Sequence, residues 1–113
     1  MSDELLSLYL LDIEKEIGDI SYFIEALDLT KFLGDVKTQK AVIMSLLNIG
    51  ELVKKLPSEF KSSNPQIEWY KLAGLRNRIA HDYPGLDFEL IWNIINNEVP
   101  AFGKDLALVI SKK

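Results

Sequence analysis

The chain's only histidine, His81, lies in a short polar stretch, RNRIAHDY, which runs from Arg76 to Tyr83. Histidine ordinarily titrates near neutral pH, so it can take a proton from a ribose 2′-hydroxyl or return one to a leaving 5′-oxygen. An arginine can stabilise the negative charge that develops on the phosphate in the same reaction. Arg76 and His81 therefore indicate metal-free RNA cleavage by internal transesterification as a chemistry for this chain.

Helical geometry decides whether these side chains can meet. At about 100° per residue, Arg76 and Tyr83 share one face of a helix, whereas His81 lies about 140° from Arg76. Because Pro84 disfavours helical geometry at Tyr83, we expect the helix to end near Asp82 and the three groups to converge at that end. RNA cleavage prefers two proton-transfer groups, and a C2 dimer would supply a second histidine. The alternative is that His81 only interacts with the free carbonyls of a helix end.

Length and composition predict one ordinary globular domain over residues 1–113. Almost half of the residues are hydrophobic (48%), and four are proline, which is not a disordered composition. No apolar run reaches the roughly 18 residues of a membrane span, and Met1 to Leu11 lacks the basic region and cleavage site of a secretory signal, so we expect a cytoplasmic protein. With no cysteine and one histidine, we expect no metal site and no cofactor.

The net charge of −4 is divided unevenly along the chain. Residues 1–30 hold eight acidic residues and one lysine, for −7, whereas residues 31–80 hold nine basic and four acidic residues, for +5. The basic middle has the favourable field for a nucleic acid phosphate, although solvated lysines on helix surfaces are the simpler explanation and the one that the sequence alone favours. Its members are Lys31, Lys37, Lys40, Lys54, Lys55, Lys61, Lys71, Arg76 and Arg78.

Apolar residues recur at spacings of three and four, which is the period of amphipathic helices. The first predicted helix is capped by Ser2 or Asp3 and runs to about Leu27, and the second opens at Gly34 and Asp35. The second helix is apolar around more than half of its circumference, with Val36 in its main stripe. Such a helix is typical of the centre of a bundle or of a subunit interface.

The second half of the chain predicts a loop and then more helices. The segment LPSEFKSSNP is read as a loop, and a third helix is expected to begin near Pro65 or Gln66. Asp87 should cap a fourth helix, whose inward residues are Leu90, Ile91, Ile94 and Ile95. Pro100 suits the first turn of a last helix. The fold prediction is all-α, a bundle of four or five helices.

The polar stretch resembles the signature of HEPN-fold proteins, which is an arginine, four residues, a histidine, any residue and a tyrosine. Arg76, Asn77, His81, Asp82 and Tyr83 occupy the matching places. More narrowly, the chain resembles the HepT-like branch, the toxin partners of minimal nucleotidyltransferase antitoxins. The resemblance covers the acidic first helix, the segment NIGELVKKLP, the long loop, and RNRIAHDYPGLDFELIW. Relatives often carry an aromatic residue after the tyrosine, where this chain has Pro84.

The resemblance implies a homodimeric HEPN-type bundle with a composite cleft and metal-independent endoribonuclease activity. It implies that His81 is the acid/base group, that Arg76 binds and stabilises the phosphate, and that Asn77 orients the RNA. It further implies that a nucleotidyltransferase antitoxin modifies Tyr83 with adenylate. Glu51 lies in a family-like segment and is a candidate partner for these groups.

Two other functions fit the same residues. HEPN-like bundles also resemble non-catalytic binding modules that associate with a nucleotidyltransferase and help to bind nucleotide or substrate. A purely structural dimerisation bundle is the other possibility. The three differ in what His81→Ala changes: RNA cleavage, ligand binding or only stability.

Overall fold

The computed structural model describes residues 1–112. Within them, the chain forms seven α-helices and one π turn. In chain order they are α1 (Asp3–Ile24), α2 (Leu29–Leu33), α3 (Val36–Lys55), α4 (Ser58–Ser63), α5 (Trp69–Asp82), α6 (Phe88–Asn93), the π turn (Ile94–Glu98) and α7 (Val99–Ser111). No strand occurs within these residues. The all-α prediction is confirmed, and four long helical segments build the bundle, because α6, the π turn and α7 are continuous.

The helix starts follow local capping chemistry. The Leu5 N–H donates to Ser2 Oγ over 3.1 Å at the start of α1, and the Thr38 N–H donates to Asp35 Oδ1 over 3.0 Å at the start of α3. Asp87 accepts from the N–H groups of Glu89 and Leu90 at the start of α6. These side chains satisfy amide groups that have no partner inside the helix. The predicted caps at Ser2 and Asp87 are confirmed, and so is the predicted start of the second long helix at Asp35.

One predicted boundary in the first half was wrong, and one short helix was not predicted. The first helix ends at Ile24 rather than near Leu27, because the Leu27 N–H bonds to the Ile24 carbonyl in a turn. Asp28 then caps the short helix α2, which sequence periodicity did not predict, by accepting from Lys31 N–H at 2.8 Å. A five-residue helix is too short to show a hydrophobic period.

The segment predicted to be a loop contains α4. Phe60 of this helix packs its ring 5.8 Å from that of Trp69, and this tertiary contact stabilises a turn that its serines do not favour. Helix α5 begins at Trp69, later than predicted, since Trp69 Nε1 and the Ile67 N–H both bond to the Asn64 carbonyl and hold a turn there. Its predicted end at Asp82 is confirmed.

A π turn joins α6 to α7 where two separate helices were expected. The side-chain amides of Asn96 and Asn97 donate to the Trp92 and Asn93 carbonyls over 2.8 Å and 2.9 Å. In a π turn each backbone N–H bonds to the carbonyl five residues earlier, rather than four as in an α-helix. The two side-chain amides add hydrogen bonds to carbonyls just before the turn. Pro100 falls in the first turn of α7, as predicted.

Helix α3 lies at the centre of the fold, as its wide apolar stripe predicted. It packs against α1 on one side and α5 on the other, and Val42, Leu46, Ile49 and Val53 are buried. Two expected inward residues are exposed instead, Val36 at 60% and Leu90 at 41%. Within residues 1–112, no helix combines the length and apolarity needed to span a bilayer.

Candidate functional site

A glycine sets the distance between α3 and α5 at the candidate site. A Cβ built on Gly50 would lie 2.8 Å from Arg76 Cγ and 3.1 Å from the Leu72 carbonyl oxygen, closer than side chains normally pack. The stem of Arg76 therefore lies directly against the backbone of α3. Glycine in a helix interior costs roughly 1 kcal/mol relative to alanine, and here that cost is offset by the close helix contact.

Glu51, the next residue of α3, forms an ion pair with Arg76. The pair joins Glu51 Oε1 to Arg76 Nε, and the side chains remain 44% and 31% exposed. The two joined atoms are themselves shielded from solvent and have no other partner among the described residues. On the other edge of the guanidinium, Arg76 Nη1 donates to Asn77 Oδ1 over 3.2 Å. The guanidinium is thus fixed by two neighbours, while its Nη2 group remains for a ligand.

His81 has a very different environment on the same helix. Its side chain is 89% exposed, and Nδ1 lies 3.0 Å from Oδ1 of Asp82, the next residue. A carboxylate at Nδ1 favours the tautomer that carries a proton on that nitrogen. Nε2 is then the basic nitrogen, and it is open to solvent for proton exchange with a bound molecule.

Tyr83 ends α5 and borders a groove on α3. Its backbone is extended (φ −65°, ψ 132°) and its N–H bonds to the Ile79 carbonyl. The groove has a volume of about 470 Å³, and Tyr83 and Met44 beside it are 42% and 58% exposed. Its lining is Lys40, Ile43, Met44, Leu47, Ile79, Ala80 and Tyr83.

The structure brings together Glu51, Arg76 and Asn77. No hydrogen bond or ion pair links Arg76, His81 and Tyr83 to one another within the described chain. Because α5 continues through His81, Arg76 and His81 keep the angular separation of about 140° that a regular helix gives them. A single chain therefore presents a fixed cation and an open imidazole in different directions.

The sequence pattern of the second helix did not single out Gly50 as a contact residue. A signal for it exists, because an isolated glycine inside a strong helical pattern indicates a close approach of another backbone or side chain. The nature of the neighbour does not follow from the local sequence. Among residues 1–112, no group of three or more histidine and acidic side chains has an arrangement that would hold a metal ion.

Comparison with known proteins identifies the family. The family model described as "Ribonuclease HepT-like" matches residues 13–109. The Methanocaldococcus jannaschii protein named "Putative RNase MJ0127" is 43% identical over 102 residues, which is 90% of this chain and 84% of that protein. The Thermococcus cleftensis protein named "Probable ribonuclease HepT" is 38% identical over 93 residues, 82% of this chain and 84% of that protein.

A second Methanocaldococcus jannaschii protein, named "Putative RNase MJ1380", is 31% identical over 109 residues, 96% of this chain and 100% of that protein. No solved structure matches the chain. The matched region of the family model contains every residue of the candidate site, from Glu51 to Tyr83. The chain belongs to the HepT-like ribonuclease family.

Proposed function

We propose that this protein is a metal-independent endoribonuclease and the toxin of a toxin–antitoxin pair in the cytoplasm. Its partner would be a minimal nucleotidyltransferase antitoxin that silences it by attaching adenylate to Tyr83. The proposal assigns acid/base chemistry to His81, phosphate binding to Arg76 and orientation of the RNA to Asn77, with Glu51 supporting Arg76.

One observation carries the proposal: α5 presents a guanidinium held at two edges and, five residues later, an imidazole that is 89% exposed. In internal transesterification, the 2′-oxygen attacks the adjacent phosphorus and loses its proton to a base, while the 5′-oxygen leaves and takes a proton from an acid. Nε2 of His81 is open for either proton transfer. The free Nη2 group of Arg76 can donate to the phosphate oxygens as negative charge develops on them.

A homodimer supplies what one protomer lacks. Arg76 and His81 of one chain point in different directions, so a cleft between two α5 helices would combine the arginine of one copy with the histidine of the other. The groove beside Tyr83 supports such a contact, because exposed apolar side chains such as Met44 are typical of interface cores. A dimer also provides the two proton-transfer groups that the reaction prefers.

Tyr83 is well placed for silencing by modification. Its side chain is 42% exposed, so a modifying enzyme can reach the phenol. Adenylate on that oxygen would add bulk and negative charge beside the proposed RNA site and would repel an RNA phosphate.

The alternative function, a non-catalytic HEPN module that binds nucleotide or substrate for a nucleotidyltransferase, is favoured by one observation. Within a single protomer, Arg76 and His81 share no contact. If the protein remained monomeric, these groups would act as separate ligand contacts and no RNA would be cut.

The test is a cleavage assay on total RNA in excess chelator, with the wild-type protein and with His81→Ala. We expect cleavage by the wild type and its loss, by a factor of at least about 100, in the variant. Because the side chain is so exposed, the free energy of unfolding should change by less than about 0.5 kcal/mol. A matched control is Asp105→Ala, which should leave cleavage unchanged.

The same assay tests silencing, with protein incubated beforehand with the antitoxin and ATP. We expect lost cleavage together with an intact mass raised by adenylate, and Tyr83→Phe should prevent the mass change. Cleavage that stops in chelator would contradict metal independence. RNA binding without cleavage by a wild type whose Tyr83 is unmodified would favour the binding module.

A further inference from the structure

Arg78 is a cation on the same face of α5 as His81. The two residues are separated by three positions, which places their side chains about 60° apart and one turn from each other, whereas Arg76 is about 140° from His81. Arg78 is exposed. It is outside the family signature, and the proposed function gives it no role.

Several other basic residues of the middle segment are already engaged. Arg76 pairs with Glu51 and Lys71 with Glu68, while Lys61 donates to the Val53 carbonyl. Arg78 forms no ion pair within residues 1–112.

The two acidic residues that line a cavity with Arg78 are occupied elsewhere. Asp82 contacts His81 Nδ1, and Asp87 accepts the first N–H groups of α6. The guanidinium of Arg78 is therefore available for a ligand.

The cavity beside Arg78 lies between α5 and α6 and has a volume of about 180 Å³. Its apolar wall includes Leu86, Leu90 and Ile94, and Arg78 and Asp82 also line it. Leu90 is 41% exposed, so part of this apolar surface faces solvent. At roughly 30 Å³ per water molecule, the cavity has space for about six waters, which suits one flat aromatic base rather than a whole nucleotide.

We propose that this cavity is a nucleotide subsite for RNA. In it, Arg78 binds a phosphate, and the apolar wall that includes Leu86 and Leu90 contacts the adjoining base. The base covers apolar surface, as in other nucleic acid sites that combine cations with apolar contacts. The carboxylates of Asp82 and Asp87 disfavour a phosphate inside the cavity, so the phosphate lies on the outer side, where Arg78 is exposed. Asp82 lines the cavity and also contacts His81, which places the subsite directly beside the acid/base group.

The subsite deepens the proposed function and rests on RNA being the substrate. It also addresses a difficulty within that function, because the charge of Arg76 is already balanced by Glu51. Arg78 supplies a guanidinium near His81 that has no ion pair within residues 1–112, and it would raise RNA affinity through phosphate contact.

The first experiment measures the affinity of a fluorescently labelled single-stranded RNA for His81→Ala protein, which binds without cutting. Arg78→Gln is added to this background and compared with Lys104→Gln, an exposed lysine without an ion pair on α7. We expect Arg78→Gln to weaken binding about tenfold and to lower the slope of log affinity against log salt by about 0.7. Lys104→Gln should do neither, and Arg78→Lys should retain most of the slope.

The second experiment locates the base by methyl NMR of the same protein titrated with cytidine 3′-monophosphate and, separately, with inorganic phosphate. Both should shift signals of residues next to Arg78, and only the nucleotide should shift the methyl groups of Leu86 and Leu90. Equal effects of phosphate and nucleotide on these methyls, or shifts confined to other regions, would overturn a base-binding cavity.

The outcomes separate this inference from the proposed function. If wild-type protein cuts RNA and Arg78→Gln binds RNA as well as Lys104→Gln does, the subsite is wrong and the ribonuclease proposal stands. If wild-type protein cuts nothing while Arg78→Gln still loses affinity and salt dependence, the subsite stands and the ribonuclease proposal is wrong.

Discussion

Arg76 and His81 lie five residues apart on one helix, yet the fold treats them in opposite ways. Arg76 packs against Gly50, pairs with Glu51 and donates to Asn77. His81 is 89% exposed, and within residues 1–112 its side chain forms a hydrogen bond with its sequence neighbour Asp82 alone. The protein positions the arginine through contacts between helices, whereas the exposed imidazole is left open to a bound molecule.

Because of this difference, substitutions at the two residues should have different effects on the free energy of unfolding and on RNA cleavage. Contacts that join α3 to α5 are part of the folded state, so changing the close packing at Gly50 should lower stability, while changing the partly exposed Glu51–Arg76 ion pair should lower mainly RNA cleavage. The side chain of His81 adds little to folding, so changing it should alter chemistry alone. Three predictions, from the largest expected effect to the smallest, test whether α3 and its contacts hold Arg76 in position.

Gly50→Ala should give the largest effect, because the new methyl group would overlap the Arg76 side chain and force α3 and α5 apart. We expect a loss of about 1–3 kcal/mol in the free energy of unfolding, measured by urea denaturation. The matched control is Gly74→Ala in the interior of α5, where an added Cβ meets nothing within 4 Å. Gly74→Ala should instead stabilise the protein by roughly 0.5–1 kcal/mol. Shifts of the same sign and size in both variants would show that Gly50 is not a close contact.

Glu51→Gln should have a smaller effect, and mostly on activity. The amide keeps the size of the side chain but loses the charge that fixes Arg76 Nε, so we expect RNA cleavage to fall by about tenfold through poorer orientation. Because both side chains are partly exposed, the free energy of unfolding should change by less than about 1 kcal/mol.

A double-mutant cycle measures the coupling between these two residues directly. In an Arg76→Ala background, Glu51→Gln should cause no further loss of cleavage, because its partner is already gone. Additive losses would mean that Glu51 acts independently of Arg76. Glu59→Gln on α4 is a control outside the site and should leave cleavage unchanged.

Asp35→Asn should have the smallest effect, on the stability of the helix that carries Gly50 and Glu51. Hydrogen bonds from the Thr38 hydroxyl and N–H lower the pKa of Asp35. A lowered folded-state pKa contributes stability above the unfolded value of about 3.9, and this contribution is lost as the pH falls through the folded value. Wild type should therefore be slightly more stable than Asp35→Asn at neutral pH, and the difference should shrink in acid. A difference that stayed constant with pH would contradict the role of the charge.

Features that depend on neighbouring residues were predictable from sequence. The caps at Ser2, Asp35 and Asp87 and the end of α5 before Pro84 follow from hydrogen bonding and sterics within a few positions. The family signature was also recognisable from sequence, because its residues all lie within the short stretch from Arg76 to Tyr83. The central place of α3 was also predictable, because its apolar stripe is wide enough to require cover on two sides.

Features that depend on distant residues were not predictable in the same way. The contact between Gly50 and Arg76 joins two helices across an intervening segment that contains α4, and no local pattern specifies which residues face each other. Helix α4 depends on Phe60 meeting Trp69, and so its sequence alone resembles a loop. Leu90 has the spacing of an inward residue but borders the cavity beside Arg78, which only the packing of α6 on α5 reveals.

The π turn between α6 and α7 also affects which changes in chain length the helix can accept. A π turn holds one more residue than an α turn without changing the faces of the helix on either side. Removing the exposed Asn96 or Asn97 would restore an ordinary α turn and keep Phe102 and Leu106 in the core. Removing one residue from the middle of α7 would rotate everything beyond it by about 100° and carry Leu106 and Val109 toward solvent. The turn is thus the place in this helix where a single-residue deletion leaves the core residues beyond it facing inward.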